Sequence, residues 1–232
     1  MLREHNFTIV DVETTGGSPF FNRVIEIGLL RVEKGEVVEE YQTLVNPEMP
    51  LPEFITKITG ITDEDLVDAP KFEDIADEVL SKFEGNIFVA HNSQFDYGFL
   101  KEEFRRLGYG FNLPQLCTVR LSRALYKDFK HHNLSAIIER YEFECENRHR
   151  AFDDAKVLWD FLKHAHANVD LDLLSKTMKR VMSTSRVVGL TKTGTPKIES
   201  QTGLLRQKIT RKTPPIEDLT YETDSGEILT LN

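Results

Sequence analysis

The sequence predicts an α/β domain, a mixed β-sheet flanked by helices, with a C-terminal extension. Three observations predict it. Residues 7–13, 24–32 and 37–45 are consecutive strand patterns rich in β-branched side chains, and Lys34-Gly35 supplies the turn between the second and third. These three make an antiparallel meander. Ile87-Phe88-Val89-Ala90 is then a short all-apolar run, which suits a strand buried on both faces. Helical periodicity follows it, so the chain passes from a hairpin run to strands alternating with helices.

The remaining elements follow in order. Residues 46–52 are a proline-bearing loop. Residues 54–66 read as a short helix, a break at Thr59-Gly60, and a new helix start at Thr62-Asp63-Glu64-Asp65. Residues 72–83 form an amphipathic helix. Residues 96–107 are helical, with Leu100, Phe104 and Leu107 on one side. Leu134, Ile137, Ile138 and Tyr141 keep the i, i+3, i+4, i+7 spacing of a helix, as do Ala155, Leu158, Trp159 and Leu162. Residues 1–175 are expected to form one domain. Residues 176–232 are expected to be a basic linker and a small C-terminal segment, in which 219–222 and 227–231 flank a turn as in a small hairpin.

The charge is unevenly spread. Residues 1–175 hold 19 Lys and Arg against 32 Asp and Glu, residues 176–212 hold 10 against 1, and residues 213–232 hold none against 5. An acidic body that binds phosphates needs metal ions to supply positive charge locally. The basic stretch is open to three readings: an arm that tracks phosphates in a salt-dependent way, a tether to a larger assembly, or a solvated extension. No apolar run approaches a membrane span, and the N-terminus lacks the basic-then-apolar shape of a secretion signal. Cys117 and Cys145 have no metal-type spacing and fit reduced thiols, so a cytoplasmic setting is expected.

Three clusters carry chemistry. Asp11 and Glu13 lie two apart on the first strand, which puts both carboxylates on one face. Paired carboxylates repel unless a cation lies between them, and hard oxygen ligands suit Mg²⁺ or Mn²⁺. Taken alone, the pair also suits solvated charges at a strand end. Asp96 closes His91-Asn92-Ser93-Gln94-Phe95-Asp96, after the buried strand and at the start of a helix. That is where ligands of open α/β sheets gather, although an acid there also simply favours the helix dipole. Asp154 leads a helix whose buried stripe starts at Ala155, and His149 lies five positions earlier. An imidazole with its ordinary pKa of about 6.5 suits a general base. His131 and His132, before a helix, and His164 and His166, near a helix end, read as scaffold.

Together these segments resemble the DnaQ-like exonucleases, the DEDDh group of the ribonuclease H-like fold. The family's three motifs correspond to Asp11-Val12-Glu13-Thr14-Thr15-Gly16, His91 to Asp96, and His149 to Ala155. Val24-Ile25-Glu26-Ile27-Gly28, Ile58-Thr59-Gly60-Ile61-Thr62 and His132-Asn133-Leu134 also agree. The resemblance covers roughly residues 5–165. It implies metal-dependent 3′→5′ hydrolysis by two divalent ions, held by Asp11, Glu13, Asp96 and Asp154, with His149 taking the proton from the attacking water. It further implies that Thr14 and Thr15 contact the terminal sugar and that Phe95 and Ile61 pack on terminal bases, with His91 and Asn92 alongside; Phe95 and Ile61 are equally good core residues. The implied partner is a nucleic acid 3′ end, single-stranded DNA first and RNA second, in a proofreading or repair role. A non-catalytic module that binds chain ends or a polymerase is the reading from another class. Family proofreaders often add a partner-binding segment, and Gln201-Thr202-Gly203-Leu204-Leu205 loosely resembles the peptide that binds bacterial sliding clamps.

Overall fold

Opposite faces of β1 (Phe7–Thr14) set the architecture. Phe7 and Ile9 point into one core and Val10 and Val12 into another, so the strand must lie between two layers of helices. In the computed structural model, the described residues are 2–182 together with three later strands, 189–192, 219–222 and 228–231. Two compact units divide the chain, Met1–Lys192 and Thr193–Asn232.

In the first unit, β2 (Val24–Glu33) and β3 (Glu36–Leu44) complete the antiparallel meander with β1. Lys34 and Gly35 both have positive φ, +52° and +83°, as a two-residue hairpin turn with right-handed strand twist requires. β4 (Ile87–Ala90) lies parallel to β1 on its other side, followed by β6 (Gln115–Cys117), giving the order β3-β2-β1-β4-β6. The short strand between them in sequence, β5 (Tyr109–Asn112), pairs separately with β7 (Gly189–Lys192).

On one face, α3 (Phe72–Ser81) and α4 (Gln94–Arg106) bury an aromatic-rich core that includes Phe72, Phe88, Phe99, Phe104 and Phe111. On the other lie α5 (Thr118–Leu125), α6 (Leu134–Tyr141), α7 (Ala151–Asn168) and α8 (Leu171–Val181). Two short helices, α1 (Glu53–Thr59) and α2 (Asp63–Val67), cover the edge around Ile25. Gly60, at φ +73°, ends α1, and Thr62 with Asp65 builds a capping box for α2. The restart expected there is therefore present. Among the described residues, no helix is long and apolar enough to cross a membrane.

Hydropathy does not reveal β5, β6 or α5. Three or four residues are too few for an alternation to register, and α5 opens on the β-branched pair Thr118-Val119. Helix α7 also starts earlier than Asp154, at Ala151. Leu219–Glu222 (β8) and Ile228–Leu231 (β9) pair antiparallel within the second unit. The clamp-like stretch 201–205 lies outside the described residues, as does most of the basic segment.

Candidate active site

Parity on β1 puts Asp11 and Glu13 on the same face as Phe7 and Ile9, the face covered by α7. The carboxylates sit where β1 and β4 separate: the two strands pair only from Phe7–Ile9 against residues 87–89. Beyond that point β1 has spare backbone donors, and the Val12 N–H gives its hydrogen to Asp96 Oδ1 at 3.2 Å. Asp96, in the first turn of α4, is thereby pulled to the strand. Asp11 and Glu13 are half-buried, whereas Asp96 and Asp154 are 2% and 4% exposed.

Asp154 arrives by close approach of α7 to the sheet. Gly28 on β2 is the register partner of Asp11. A Cβ there would lie 2.1 Å from the Phe152 backbone nitrogen, so only glycine lets the first turn of α7 lie against β2. Glu26, the register partner of Glu13 and 2% exposed, holds that turn. It accepts from Arg150 Nη2 at 2.6 Å and Nε at 3.0 Å, and from the Ala151 N–H at 3.0 Å. Arg148 is ion-paired to Asp154. His149 thus sits between two pinned arginines, with its backbone at φ +62°. A left-handed non-glycine residue costs about 1–3 kcal/mol and persists only where its surroundings impose it. Here it turns the imidazole inward: ligand atoms of His149, Glu13 and Asp154 lie within 4.8 Å of one another.

The electrostatics are those of crowded carboxylates. Burial, then the neighbouring charges of Asp96, Asp154 and Glu13, hold the Asp11 carboxyl well above its usual range. Burial, with Asp154 next, does the same to Glu13. Burial pushes Asp96 up to about 7 against the pull of its backbone hydrogen bonds. Asp154 is raised by burial, with Arg148 opposing. Crowded carboxylates that repel one another, with the imidazole of His149 beside two of them, are a donor set that fits divalent cations.

A pH dependence follows. A raised folded-state pKa means the folded chain holds the proton more tightly. The contribution to stability is then complete below the ordinary carboxylate pKa and is lost as pH rises through the folded value, about 7 for Asp96. In EDTA, Tm is expected to rise as pH falls from about 8 to about 6, and added Mn²⁺ should raise Tm more at the higher pH because its ligands must be ionised. A flat Tm over that range, measured by calorimetry, would contradict this electrostatic picture.

The other expected contacts divide. Thr14 and Thr15 are buried, and their hydroxyls serve the loop that follows: Thr14 Oγ1 donates to Gly16 O at 2.9 Å, and Thr15 Oγ1 accepts from the Arg23 N–H at 3.0 Å. Ile61 is 2% exposed within the cluster around Ile25, and half-buried Phe95 packs against Phe99 with ring centroids 4.9 Å apart and the rings tilted by 49°. His91 Nδ1 bonds Thr118 Oγ1 at 2.8 Å, and burial lowers its imidazole to about 4, so the ring is neutral. Asn92 is exposed with φ +63°. Sequence reasoning misses Glu26 and Arg148 as members of the site. Glu26 carries a signal, a lone acid in an otherwise apolar strand, VIEIGLL; for Arg148 there is none.

This arrangement has relatives. A family model described as an exonuclease, RNase_T, matches residues 8–162. The PolC-type DNA polymerase III of Caldanaerobacter subterraneus subsp. tengcongensis is 39% identical over 153 residues, which are 66% of this chain and 11% of that protein. The PolC-type polymerase of Bacillus subtilis is 35% identical over 158 residues, 67% of this chain and 11% of that protein. The chain thus spans about a tenth of the length of the curated relatives it matches. Among solved structures, E. coli exonuclease I in complex with a dA16 oligonucleotide aligns with a TM-score of 0.67 at 18% identity, over 74% of this chain and 42% of that one. Exonuclease X in complex with 5′ overhanging duplex DNA aligns with a TM-score of 0.56 at 23% identity, over 74% and 99%. These two likenesses show the fold, ribonuclease H-like, and the family match runs through β1, α4 and α7, the elements that carry the four carboxylates. The chain belongs to the DnaQ-like 3′–5′ exonuclease family.

Proposed function

We propose that the chain is a DEDDh-type exonuclease that releases nucleoside 5′-monophosphates from DNA 3′ ends. The observation that carries this reading is the grouping of Glu13, His149 and Asp154 within 4.8 Å of one another, with Asp11 beside Glu13 on β1 and Asp96 held to β1 by the Val12 N–H. The DNA assignment is supported by the PolC-type relatives, in which the matched region belongs to a much longer DNA polymerase. The proposed role is proofreading or repair, with a polymerase or clamp as partner. Free Cys117 and Cys145 suit a reducing, cytoplasmic setting.

Asp11, Glu13, Asp96 and Asp154 would hold two divalent ions. Bound there, the ions supply the positive charge that lets an acidic surface accept a phosphodiester, and they lower the pKa of the attacking water. His149 accepts the proton of that water at a ring nitrogen. Glu26 holds the imidazole in place through Arg150, and the Val12 N–H orients Asp96. Thr14, Thr15, His91 and Asn92 flank the position of the terminal nucleotide.

The test is a time course on 5′-labelled single-stranded DNA and matched RNA with Mg²⁺, Mn²⁺ or EDTA, beside His149→Ala. The expected result is a metal-dependent ladder shortened from the 3′ end, slowed in the variant by about 10²–10⁴, the usual worth of a general base. Faster cleavage of RNA would replace the DNA assignment with RNA trimming. Absence of products from folded protein with metal would sink the enzyme reading in favour of an end-binding module.

A further inference from the structure

The cations of the acidic body are mostly tied up. Arg23, Arg106 and Arg150, for example, are paired with Glu103, Glu103 and Glu26. One stretch differs. Residues 118–131 hold 4 Lys and Arg, namely Arg120, Arg123, Lys127 and Lys130, against a single acid, Asp128. All four cations are exposed. Among the described residues, no carboxylate forms an ion pair with any of them. Arg120 and Arg123, three apart, share a face of α5, and Lys127 continues that spacing past its end.

The stretch starts beside His91. Thr118, the first residue of α5, is fully buried and bridges His91 Nδ1 at 2.8 Å and the Ala90 carbonyl at 3.3 Å, which fastens the helix to the end of β4 from which Asp96 follows. Arg123 is near enough to act on the His91 ring. At about 1.5 Å per residue, α5 carries the row of charges roughly 10 Å away from that anchor.

Resting on the exonuclease reading above, we propose that Arg120, Arg123, Lys127 and Lys130 form a phosphate track that holds the single-stranded chain on the 5′ side of the nucleotide being removed. Unpaired cations in an otherwise acidic body complement a polyanion, and their continuity with His91 places that polyanion's 3′ end at the carboxylates. Arg and Lys side chains meet phosphates rather than base edges, so the contact of this row is with backbone charge and is indifferent to base sequence.

The experiment compares the full chain with Arg123→Gln/Lys127→Gln, with the fourfold Gln variant, and with Lys34→Gln/Lys101→Gln, which removes two cations elsewhere on the body. The probes are a thymidine oligonucleotide and the p-nitrophenyl ester of thymidine 5′-monophosphate, which is too small to reach the track. For the oligonucleotide, the slope of log(kcat/KM) against log[KCl] is expected to lessen by about 0.7 per lost contact, so about 1.4 in the double variant, with the loss falling on KM. Hydrolysis of the ester is expected to stay at the wild-type rate, and the Lys34/Lys101 variant should keep the wild-type slope. An unchanged slope in the Arg123/Lys127 variant overturns the track. So does an equal fall in the Lys34/Lys101 variant, which would reduce the effect to net charge. If the wild type cleaves neither probe, the function proposed above fails. The track is then read by fluorescence anisotropy of a labelled oligonucleotide over the same salt range, with the same two overturning outcomes. Because the substituted side chains are exposed, folding is checked by Tm, and the double variant serves if the fourfold one melts early.

Discussion

Asp11→Asn is expected to abolish hydrolysis while making the metal-free protein more stable. The two effects have one cause. Asp11 lies among Glu13, Asp96 and Asp154, and burial together with those charges holds its carboxyl well above the ordinary range. An amide of the same shape removes one negative charge and its repulsions. It also removes a ligand on which the proposed ions depend. Activity should fall by a factor on the order of 10³ or more, at least the scale of deleting one preorganised electrostatic group from an active site. In EDTA at neutral pH, each kcal/mol of relieved repulsion should raise Tm by about 2–4 °C in a chain of this size. Mn²⁺ should raise the Tm of the wild type more than that of the variant. Wild-type activity in Asp11→Asn would remove Asp11 from the site. A lower Tm in EDTA would show that its carboxylate is a structural acceptor.

Gly28→Ala is expected to damage stability and activity together, without touching any group that takes part in the reaction. The new methyl would lie 2.1 Å from Phe152 N and 2.3 Å from Ala151 C. Both are backbone atoms, so no side-chain rotation relieves the clash, and the first turn of α7 must move off β2. Overpacking of this kind costs about 1–3 kcal/mol. The displaced turn carries Asp154 and adjoins His149, and a misplacement of about 1 Å can cost about 10² in rate. Gly98→Ala is the control. Its Cβ would meet only Pro19 Cγ, at 3.8 Å, and α4 should gain roughly 0.5–1 kcal/mol from losing a helical glycine. If Gly28→Ala melts and turns over like the wild type, α7 does not need that approach, and Glu26 alone would position the site.

Much of the site is legible before any folding is considered, because its rules are local. Asp11 and Glu13 share a face through the period of a strand. Asp96 and Asp154 are first-turn acids of helices that the apolar spacing announces. The meander, the buried strand 87–90 and the break at Gly60 are equally local features. What consecutive residues cannot encode is register and approach. The Val12 hydrogen bond to Asp96 spans 84 positions, and the Arg150 clamp on Glu26 spans 124. Neither leaves a trace in periodicity, and nor does the need for glycine opposite Asp11.

Tertiary structure also decided the roles of residues whose identity was plain from the start. The Thr14 and Thr15 hydroxyls are engaged by the loop 16–23, Ile61 is core, and Arg148 belongs to the carboxylate cluster. The sequence by itself determined the longer elements, the family and the five chemically apt side chains, since each rests on spacing within a strand, a helix turn or a motif. Only the tertiary structure decided how those side chains converge and which cations remain unpaired beside them, because both depend on contacts between segments far apart in the chain.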